Sequence, residues 1–119
     1  MTVKLEQITL AADNLEAVVA FYDAVFQTNL KGHDTPMGVI IYNGMLAGIP
    51  FQVCPNTLAE VDARQNRQQF QFQVESVAAA YKTALSNGGR SLQPVHAAQG
   101  MKIASVYDPD GNSIVLRGN

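Results

Sequence analysis

The chain contains little cysteine and little charge, and each shortage narrows what the protein can be. Its one cysteine, Cys54, excludes a disulfide framework and an all-cysteine metal site within one chain. Charged residues make up 15% of the sequence and the net charge is −2, without a basic cluster, so nucleic acid is not an expected partner. Apolar runs are too short to cross a bilayer, so no membrane partner is expected either. Residues 1–6 lack a signal peptide's apolar segment, which makes a cytoplasmic location the expectation.

The first half of the chain shows the patterns of a strand, a helix and three further strands. With 119 residues of which 47% are hydrophobic, the whole chain, 1–119, is expected to form one globular domain. Residues 3–12 alternate between two faces as a strand does. Further short strands are predicted at 29–32, 37–42 and 46–54. Asn43 and Gly44 form the strongest two-residue hairpin signal, so a turn is predicted there.

Two helices are predicted, one in each half. Residues 15–26 carry apolar side chains at helical spacing, and either Asp13 or Asn14 suits the N-cap position. A glutamate three residues after Asp13 completes a capping-box pattern. In the second half, Ser76 is suited to cap a helix over residues 77–87, which two consecutive glycines then end.

The second half repeats the order of the first. Residues 68–74 alternate as a strand, and after the second helix three more strands are predicted at 91–95, 102–107 and 113–117. The chain therefore reads β-α-β-β-β twice, with a first module at about 1–56, a helix or linker at 57–67 and a second module at about 68–119. Each sheet has one face covered by its own helix. Its other face must meet the other module, a second chain or a ligand.

Two motifs accompany this repeat. Leu15-Glu16 leads to Phe21-Tyr22 in the first helix, and Asp-Pro-Asp-Gly-Asn at 108–112 precedes the last strand. In these motifs and in its repeat, the chain resembles the vicinal oxygen chelate superfamily, the group of glyoxalases, bleomycin-resistance proteins and extradiol dioxygenases. The resemblance implies an α+β fold in which two β-α-β-β-β modules form a cup-shaped sheet. It also implies a homodimer, which is common for chains of this length.

The resemblance further implies four positions that bind a divalent metal ion in the metal-using members, where histidine and glutamate are usual. In this chain the four positions hold Gln7, Gln52, Gln69 and Val115. A divalent ion needs imidazole or carboxylate ligands to offset its desolvation, whereas amides are neutral and valine offers no donor atom. The prediction is therefore that the protein has no metal site and no cofactor. A cup lined by amides suits a neutral polar or planar ligand, since amides both donate and accept hydrogen bonds.

Three other side chains are candidates for ligand contact or chemistry. Arg117 shares a strand face with Val115 and could reach an anionic ligand group, although such an arginine is more often solvated. His96 is predicted in a loop that could overhang the cup, which makes it an acid/base candidate together with Tyr107. His33 is also placed in a loop and is interpreted as a surface residue.

Three reactive-looking side chains have structural explanations. Cys54 lies beside a glutamine on a predicted strand, where a buried inert thiol is the favoured interpretation because no base or helix N-terminus lies near it. Asp108 and Asp110 look like paired carboxylates, but both are explained by capping of the turn that contains them. Neither is therefore assigned to catalysis.

Three functions remain open on the sequence alone. The leading hypothesis is a metal-independent protein that binds a small organic molecule, like the antibiotic-sequestering members of the superfamily. A cup of amides and a net charge of −2 suit the cationic bleomycin-type ligands poorly, so the ligand stays open. The alternative is an enzyme of the lyase, isomerase or dioxygenase kind with an atypical or metal-free active site. A regulatory or accessory domain without a small ligand is the third.

Overall fold

Both halves of the chain contain a strand, a helix and three more strands. The structure is a computed structural model that describes residues 4–59, 66 and 68–119. The first half consists of β1 (Ile8–Ala12), α1 (Leu15–Phe26), β2 (Lys31–Asp34), β3 (Ile40–Leu46) and β4 (Ile49–Pro55). The second half consists of β5 (Phe70–Val74), α3 (Val77–Ser86), β6 (Arg90–Ala98), β7 (Met101–Tyr107) and β8 (Ser113–Gly118). Between them lies a one-turn helix, α2 (Asn56–Ala59), and most of the predicted linker after it falls outside the described residues.

The strands form two four-stranded mixed sheets of the same topology. Their orders are β1-β4-β3-β2 and β5-β8-β7-β6, with the first and last strand of each half parallel and the other neighbours antiparallel. The predicted α+β fold with two β-α-β-β-β modules is thereby confirmed. Because the last strand of each half lies directly beside the first, their residues meet side by side on each sheet face.

The two halves share one hydrophobic core. Val18, Phe21 and Tyr22 of α1 are fully buried, and the Tyr22 ring lies 5.5 Å from that of Phe51 on the first sheet. The ring of Phe26 lies 4.2 Å from that of Phe72 on the second. Helix α3 lies against the second sheet and against α1. Each sheet thus has a face turned toward its helix and a face turned away from it, which we call its open face.

The predicted hairpin at Asn43-Gly44 is wrong. Both residues lie inside β3, and the chain reverses instead at Ala47-Gly48, where φ is 50° and 82°. A packing requirement explains the difference: the backbone N–H that follows Gly44 donates to the Thr28 carbonyl at 2.9 Å, and a Cβ on Gly44 would overlap that oxygen. Gly44 therefore permits a close backbone approach, and this tertiary contact overrides the local turn preference.

Both histidines lie in strands, which corrects their predicted positions in loops. His33 belongs to β2, opposite Ile41, and His96 belongs to β6, opposite Ile103. These are the edge strands of the two sheets, and both contain a glycine or a proline that resembles turn sequence. Edge strands tolerate such residues because one side of the strand has no hydrogen-bonding neighbour.

The start of α1 also differs from the prediction. Asn14 occupies the N-cap position, but its side chain makes no capping hydrogen bond. Instead the carboxylate of Asp110 accepts hydrogen bonds from the backbone N–H groups of Asp13 (2.8 Å) and Asn14 (3.0 Å). The cap of the first helix therefore comes from the far end of the chain. On α3 the predicted cap is confirmed, since Ser76 Oγ accepts from a backbone N–H at 3.2 Å.

Candidate functional site

A row of polar side chains crosses the open face of the first sheet. We call it the amide row, and it consists of Gln7, Thr9, Gln52, Asn43 and His33. Gln7 Nε2 donates to Gln52 Oε1 at 2.9 Å and lies 3.1 Å from Thr9 Oγ1. Asn43 stands directly opposite Gln52, and its Nδ2 lies 2.6 Å from His33 Nε2. Two predicted ligand-binding residues, Gln7 and Gln52, are therefore in contact.

The other two predicted positions lie on the open face of the second sheet. Gln69 Nε2 donates to Ser113 Oγ at 2.9 Å, which joins the first and last strands of that half. Val115 stands opposite Gln71 of β5 and opposite Ser105 of β7. Residues directly opposite each other share a sheet face. The four positions thus form two pairs, one on each open face, as the internal repeat requires.

Arg117 lies on the same open face as Val115, two residues further along β8. It is half-buried, and its Nη2 contacts Met101 Sδ at 3.1 Å. Its Nε is buried and makes no hydrogen bond to any described residue. Arg117 lines a cavity of about 330 Å³, whose other lining residues are Gln71, Phe72, Gln73, Met101 and Gly118.

His96 and Tyr107 do not form an acid/base pair. His96 is exposed on the edge strand, with its Nδ1 2.9 Å from the Pro94 carbonyl oxygen. The Tyr107 ring lies under the Arg90 guanidinium at 5.0 Å. Because His96 stands opposite Ile103, four residues from Tyr107 on the same strand, the two are separated by about 13 Å along it.

The Asp-Pro-Asp-Gly-Asn motif is organised around the buried carboxylate of Asp108. This group accepts from the Tyr22 hydroxyl (2.9 Å), the Asn112 side chain (2.7 Å) and the backbone N–H groups of Asp110 and Asn112 (2.9 Å each). Burial, together with the nearby Asp108 charge, raises the pKa of Tyr22 well above its usual value. Burial also raises the pKa of the Asp110 carboxyl, against its two backbone hydrogen bonds. The motif therefore anchors the last strand to α1, which extends the predicted turn-capping role.

A second cavity, of about 230 Å³, lies between the two halves. Its lining combines apolar side chains with amides and hydroxyls, and consists of Ile8, Thr9, Leu10, Tyr22, Asn66, Gln68, Phe70, Asn112 and Ser113. Asn66 Nδ2 donates to the Ala11 carbonyl at 3.0 Å, so this residue ties the connection between the halves to β1. The volume suits one ring or a similarly small group. Cys54 on β4 is buried, and burial raises the pKa of its thiol, which disfavours the reactive thiolate form.

The donor atoms at the four positions do not fit a divalent metal ion. Gln7 and Gln52 satisfy each other, Gln69 bonds Ser113, and Val115 contributes no donor atom. Within the described ranges, no cluster of three or more histidine, cysteine, aspartate or glutamate side chains could hold a metal ion. Neutral amides alone do not offset the desolvation of zinc, nickel or iron.

The sheet topology and the paired open faces define the class of this protein: it has the glyoxalase/bleomycin-resistance fold. Residues 7–116 match the family model of the glyoxalase-like domain, and the chain belongs to that family. The sequence has no significant match among curated proteins. In the part of the chain that the structure describes, no helix has the length and apolar character needed to cross a membrane.

Three solved structures illustrate the likeness of fold. A glyoxalase-related enzyme from Fulvimarina pelagi has a TM-score of 0.75 at 21% identity, over 98% of this chain and 88% of that one. A glyoxalase/bleomycin resistance protein/dioxygenase family enzyme from Burkholderia phytofirmans PsJN has a TM-score of 0.76 at 14% identity, over 98% of each chain. A fosfomycin resistance protein from Listeria monocytogenes has a TM-score of 0.73 at 20% identity, over 100% and 95%. At these identities the likeness concerns the fold alone.

Sequence reasoning missed His33, Thr9 and Asn43 as members of the amide row. The sequence pattern places His33 in a loop and Asn43 in a turn. The missing signal is alternation: once residues 40–46 are read as one strand, Asn43 takes the same face as the residue opposite it on β4, which is Gln52. Thr9 is two residues from Gln7 on the same face, and its hydroxyl lies 3.4 Å from Gln52 Oε1.

Proposed function

We propose that this protein binds a small organic molecule without a metal ion, and that the amide row forms part of the binding surface. The observation that carries the proposal is the contact between Gln7 and Gln52 at 2.9 Å, at two of the positions that the resemblance assigns to metal ligands. Two hydrogen-bonded amides can exchange their mutual bond for bonds to a ligand, because each group donates and accepts. The ligand that fits such a row is polar and uncharged where it meets Gln7 and Gln52.

Metal independence is part of this proposal and rests on the same side chains. Recognition by amides needs no Lewis acid, since hydrogen-bond geometry and shape supply the specificity. The enzyme alternative would rely on His96 or Tyr107 as an acid or base, but His96 is exposed on an edge strand and the Tyr107 ring lies under the Arg90 guanidinium. A binding protein is therefore the function that the arrangement supports best.

We also propose that the cup is completed by a second copy of the chain, in the cytoplasm. Two large apolar side chains are exposed near the amide row: Met45, which shares the strand face of Asn43 on β3, and Met37 in the loop that precedes β3. Such exposure next to a polar row is typical of a surface that another chain covers. Light scattering coupled to size-exclusion chromatography should give the mass of a dimer, whereas the mass of a single chain would contradict this part of the proposal.

The binding function is tested by a thermal-shift screen of small aromatic compounds, antibiotics and metabolites. A ligand that binds only the folded state raises the melting temperature by mass action. For any hit, Gln7→Leu and Gln52→Leu should each abolish the shift with little change in the melting temperature of the free protein. The control is Lys82→Leu, an exposed side chain on α3, which packs on the helix side of the second sheet.

Two outcomes would contradict the proposal. If the shift survives in Gln7→Leu and Gln52→Leu as it does in the Lys82 control, the amide row is not the binding surface. If elemental analysis of the purified protein finds one divalent ion per chain, the binding protein is not metal-independent. Both measurements use the full chain as purified.

A further inference from the structure

The open face of the second sheet carries a guanidinium with no acidic partner among the described residues. Arg117 is in the central strand β8, between Gln73 of β5 and Ile103 of β7. No ion pair to a carboxylate of the described residues is formed by this side chain. A half-buried arginine in the middle of a sheet is unusual without such a partner, because a buried charge is normally paired.

The hydrogen bonds of Arg117 are also incomplete. Its Nη2 contacts the Met101 sulfur at 3.1 Å, and a thioether is a weak acceptor. Its Nε is buried and has no acceptor among the described residues. A guanidinium presents its N–H groups as a planar fork that matches two oxygens of a carboxylate, phosphate or phosphonate. The unmatched donors of Arg117 therefore have the chemistry of an oxyanion site.

Space for such a group is present beside Arg117. The cavity of about 330 Å³ at Arg117 is also lined by the amides of Gln71 and Gln73, both exposed on the same face. Amide N–H groups can donate to the oxygens that the guanidinium leaves free. Glu75 lines the neighbouring cavity beside Gln73, so the surroundings do not attract anions in general. Selectivity must come from the geometry of the fork.

We propose that this cavity binds the oxyanion group, a carboxylate, phosphate or phosphonate, of the small molecule that the protein recognises. The inference rests on the proposed binding function and assigns a charge to one end of its ligand. The amide row then meets an uncharged polar part of the same class of molecule, while Arg117 holds the anionic end. Inorganic phosphate is the other source of the same chemistry, and the experiment separates the two.

The test measures the affinity of the full-length protein for four probes by calorimetry at low salt. Phenylphosphonate and benzoate carry an oxyanion on a ring, benzamide is the uncharged analogue of benzoate, and inorganic phosphate lacks the ring. Phenylphosphonate or benzoate should bind at least tenfold more tightly than benzamide, as one charge-assisted fork predicts. Tighter binding of phenylphosphonate than of phosphate identifies an organic ligand. If phenylphosphonate and inorganic phosphate bind equally tightly, the oxyanion alone accounts for the affinity and inorganic phosphate is a sufficient ligand.

Substitutions test whether the guanidinium of Arg117 is responsible for oxyanion binding. Arg117→Gln should weaken oxyanion binding about tenfold or more, and Arg117→Lys should also weaken it, because lysine keeps the charge but not the planar fork. The control is Arg90→Gln, which removes the same charge from the edge strand, where Arg90 lies over Tyr107. It should change affinity less than twofold. If Arg117→Gln does not fold, the Nε–H signal of Arg117 in a wild-type NMR titration with phenylphosphonate gives the same information by its shift.

The outcomes separate this inference from the binding function. If benzamide binds as tightly as benzoate, or if Arg90→Gln loses as much affinity as Arg117→Gln, the oxyanion site is contradicted, while binding at the amide row stands. An unchanged Arg117 Nε–H signal at saturating phenylphosphonate contradicts it as well. If neither the probes nor any compound of the thermal-shift screen binds, both proposals fail together.

Discussion

At the scale of single residues, Asp108 is the side chain with the most demanding environment. It is fully buried and accepts four hydrogen bonds, two from backbone N–H groups and two from the side chains of Tyr22 and Asn112. A buried carboxylate is tolerated when all its acceptor positions are used. The turn that carries it is therefore held to α1 by a polar contact inside the core, and the loss of any donor should be felt in stability.

The Tyr22 hydroxyl is the donor that can be removed with the least disturbance. Tyr22→Phe keeps the ring packed on Phe51 but leaves Asp108 with three donors, so the free energy of unfolding should fall by about 1.5–3 kcal/mol. Urea unfolding followed by circular dichroism measures the change. Tyr81→Phe is the matched control, because its hydroxyl bonds Ser91 Oγ at an exposed site and should lose less than about 1 kcal/mol. Equal losses would show that burial of the Asp108 contact adds nothing.

The raised pKa of Tyr22 also predicts how stability depends on pH. Burial and the Asp108 charge keep the folded-state pKa of Tyr22 above its unfolded value near 10. Above that value the unfolded chain releases a proton that the folded chain retains, so stability is complete below pH 10 and is lost as the pH rises further. The urea midpoint should therefore fall between pH 9 and pH 11 more steeply in the wild type than in Tyr22→Phe. Parallel pH curves for the two proteins would contradict the assignment.

Residue by residue, the candidate site was only partly predictable. Gln7 and Gln52 could be placed together because each stands at a defined position in a repeated module, so a correct repeat fixes their face. The positions of Asn43 and His33 in the same row could not be predicted, because both residues lie next to a glycine that also suits a turn. The unmatched hydrogen bonds of Arg117 depend on the contact with Met101, sixteen residues away, which no local pattern contains.

At the scale of elements, the hairpins show where local preference and tertiary packing compete. Asn43-Gly44 has the better turn sequence, yet the chain turns at Ala47-Gly48, where Ala47 adopts a φ of 50°. Alanine is disfavoured in this left-handed region, whereas asparagine tolerates it. The order of strands and helices was predictable because the apolar periodicity runs over whole elements. The turn was not, because its position depends on the contact of Gly44 with Thr28.

This misfit of turn sequence can be corrected by substitution. Ala47→Asn creates Asn-Gly at the observed turn and should raise the free energy of unfolding by about 0.5–1 kcal/mol. The β6–β7 turn offers a second instance, since Gln99 has a φ of 52° and precedes Gly100, so Gln99→Asn should also stabilise the protein. Thermal unfolding measures both. The control is Ala24→Asn on the exposed side of α1, which should destabilise it by helix propensity. If Ala47→Asn lowers the stability instead, the chain does not reverse at residues 47 and 48 in the left-handed conformation described.

At the scale of the whole molecule, the two halves hold each other in place. Asp110 from the second half caps α1 of the first, and Phe26 of α1 packs on Phe72 of the second sheet. The repeat is visible in the sequence. The cap that one half provides for the helix of the other could not be predicted, because it joins residues almost a hundred positions apart. The polar residues lie on the open faces because the apolar faces of both sheets meet in one shared core.

A shared core predicts that neither half unfolds alone. Asp110→Ala leaves two backbone N–H groups at the start of α1 without their acceptor and should lower stability by about 0.5–2 kcal/mol. In a cooperative molecule the loss appears equally in both halves. Hydrogen exchange of core amides, at Val18 in the first half and Val106 in the second, should show the same decrease in protection. Ser76→Ala, which removes the cap of α3 in the second half, provides the reverse comparison and should lower protection at Val18 as well. Loss of protection confined to the half that contains the affected helix would show that the modules fold independently, and that the apolar contacts between them contribute little to stability.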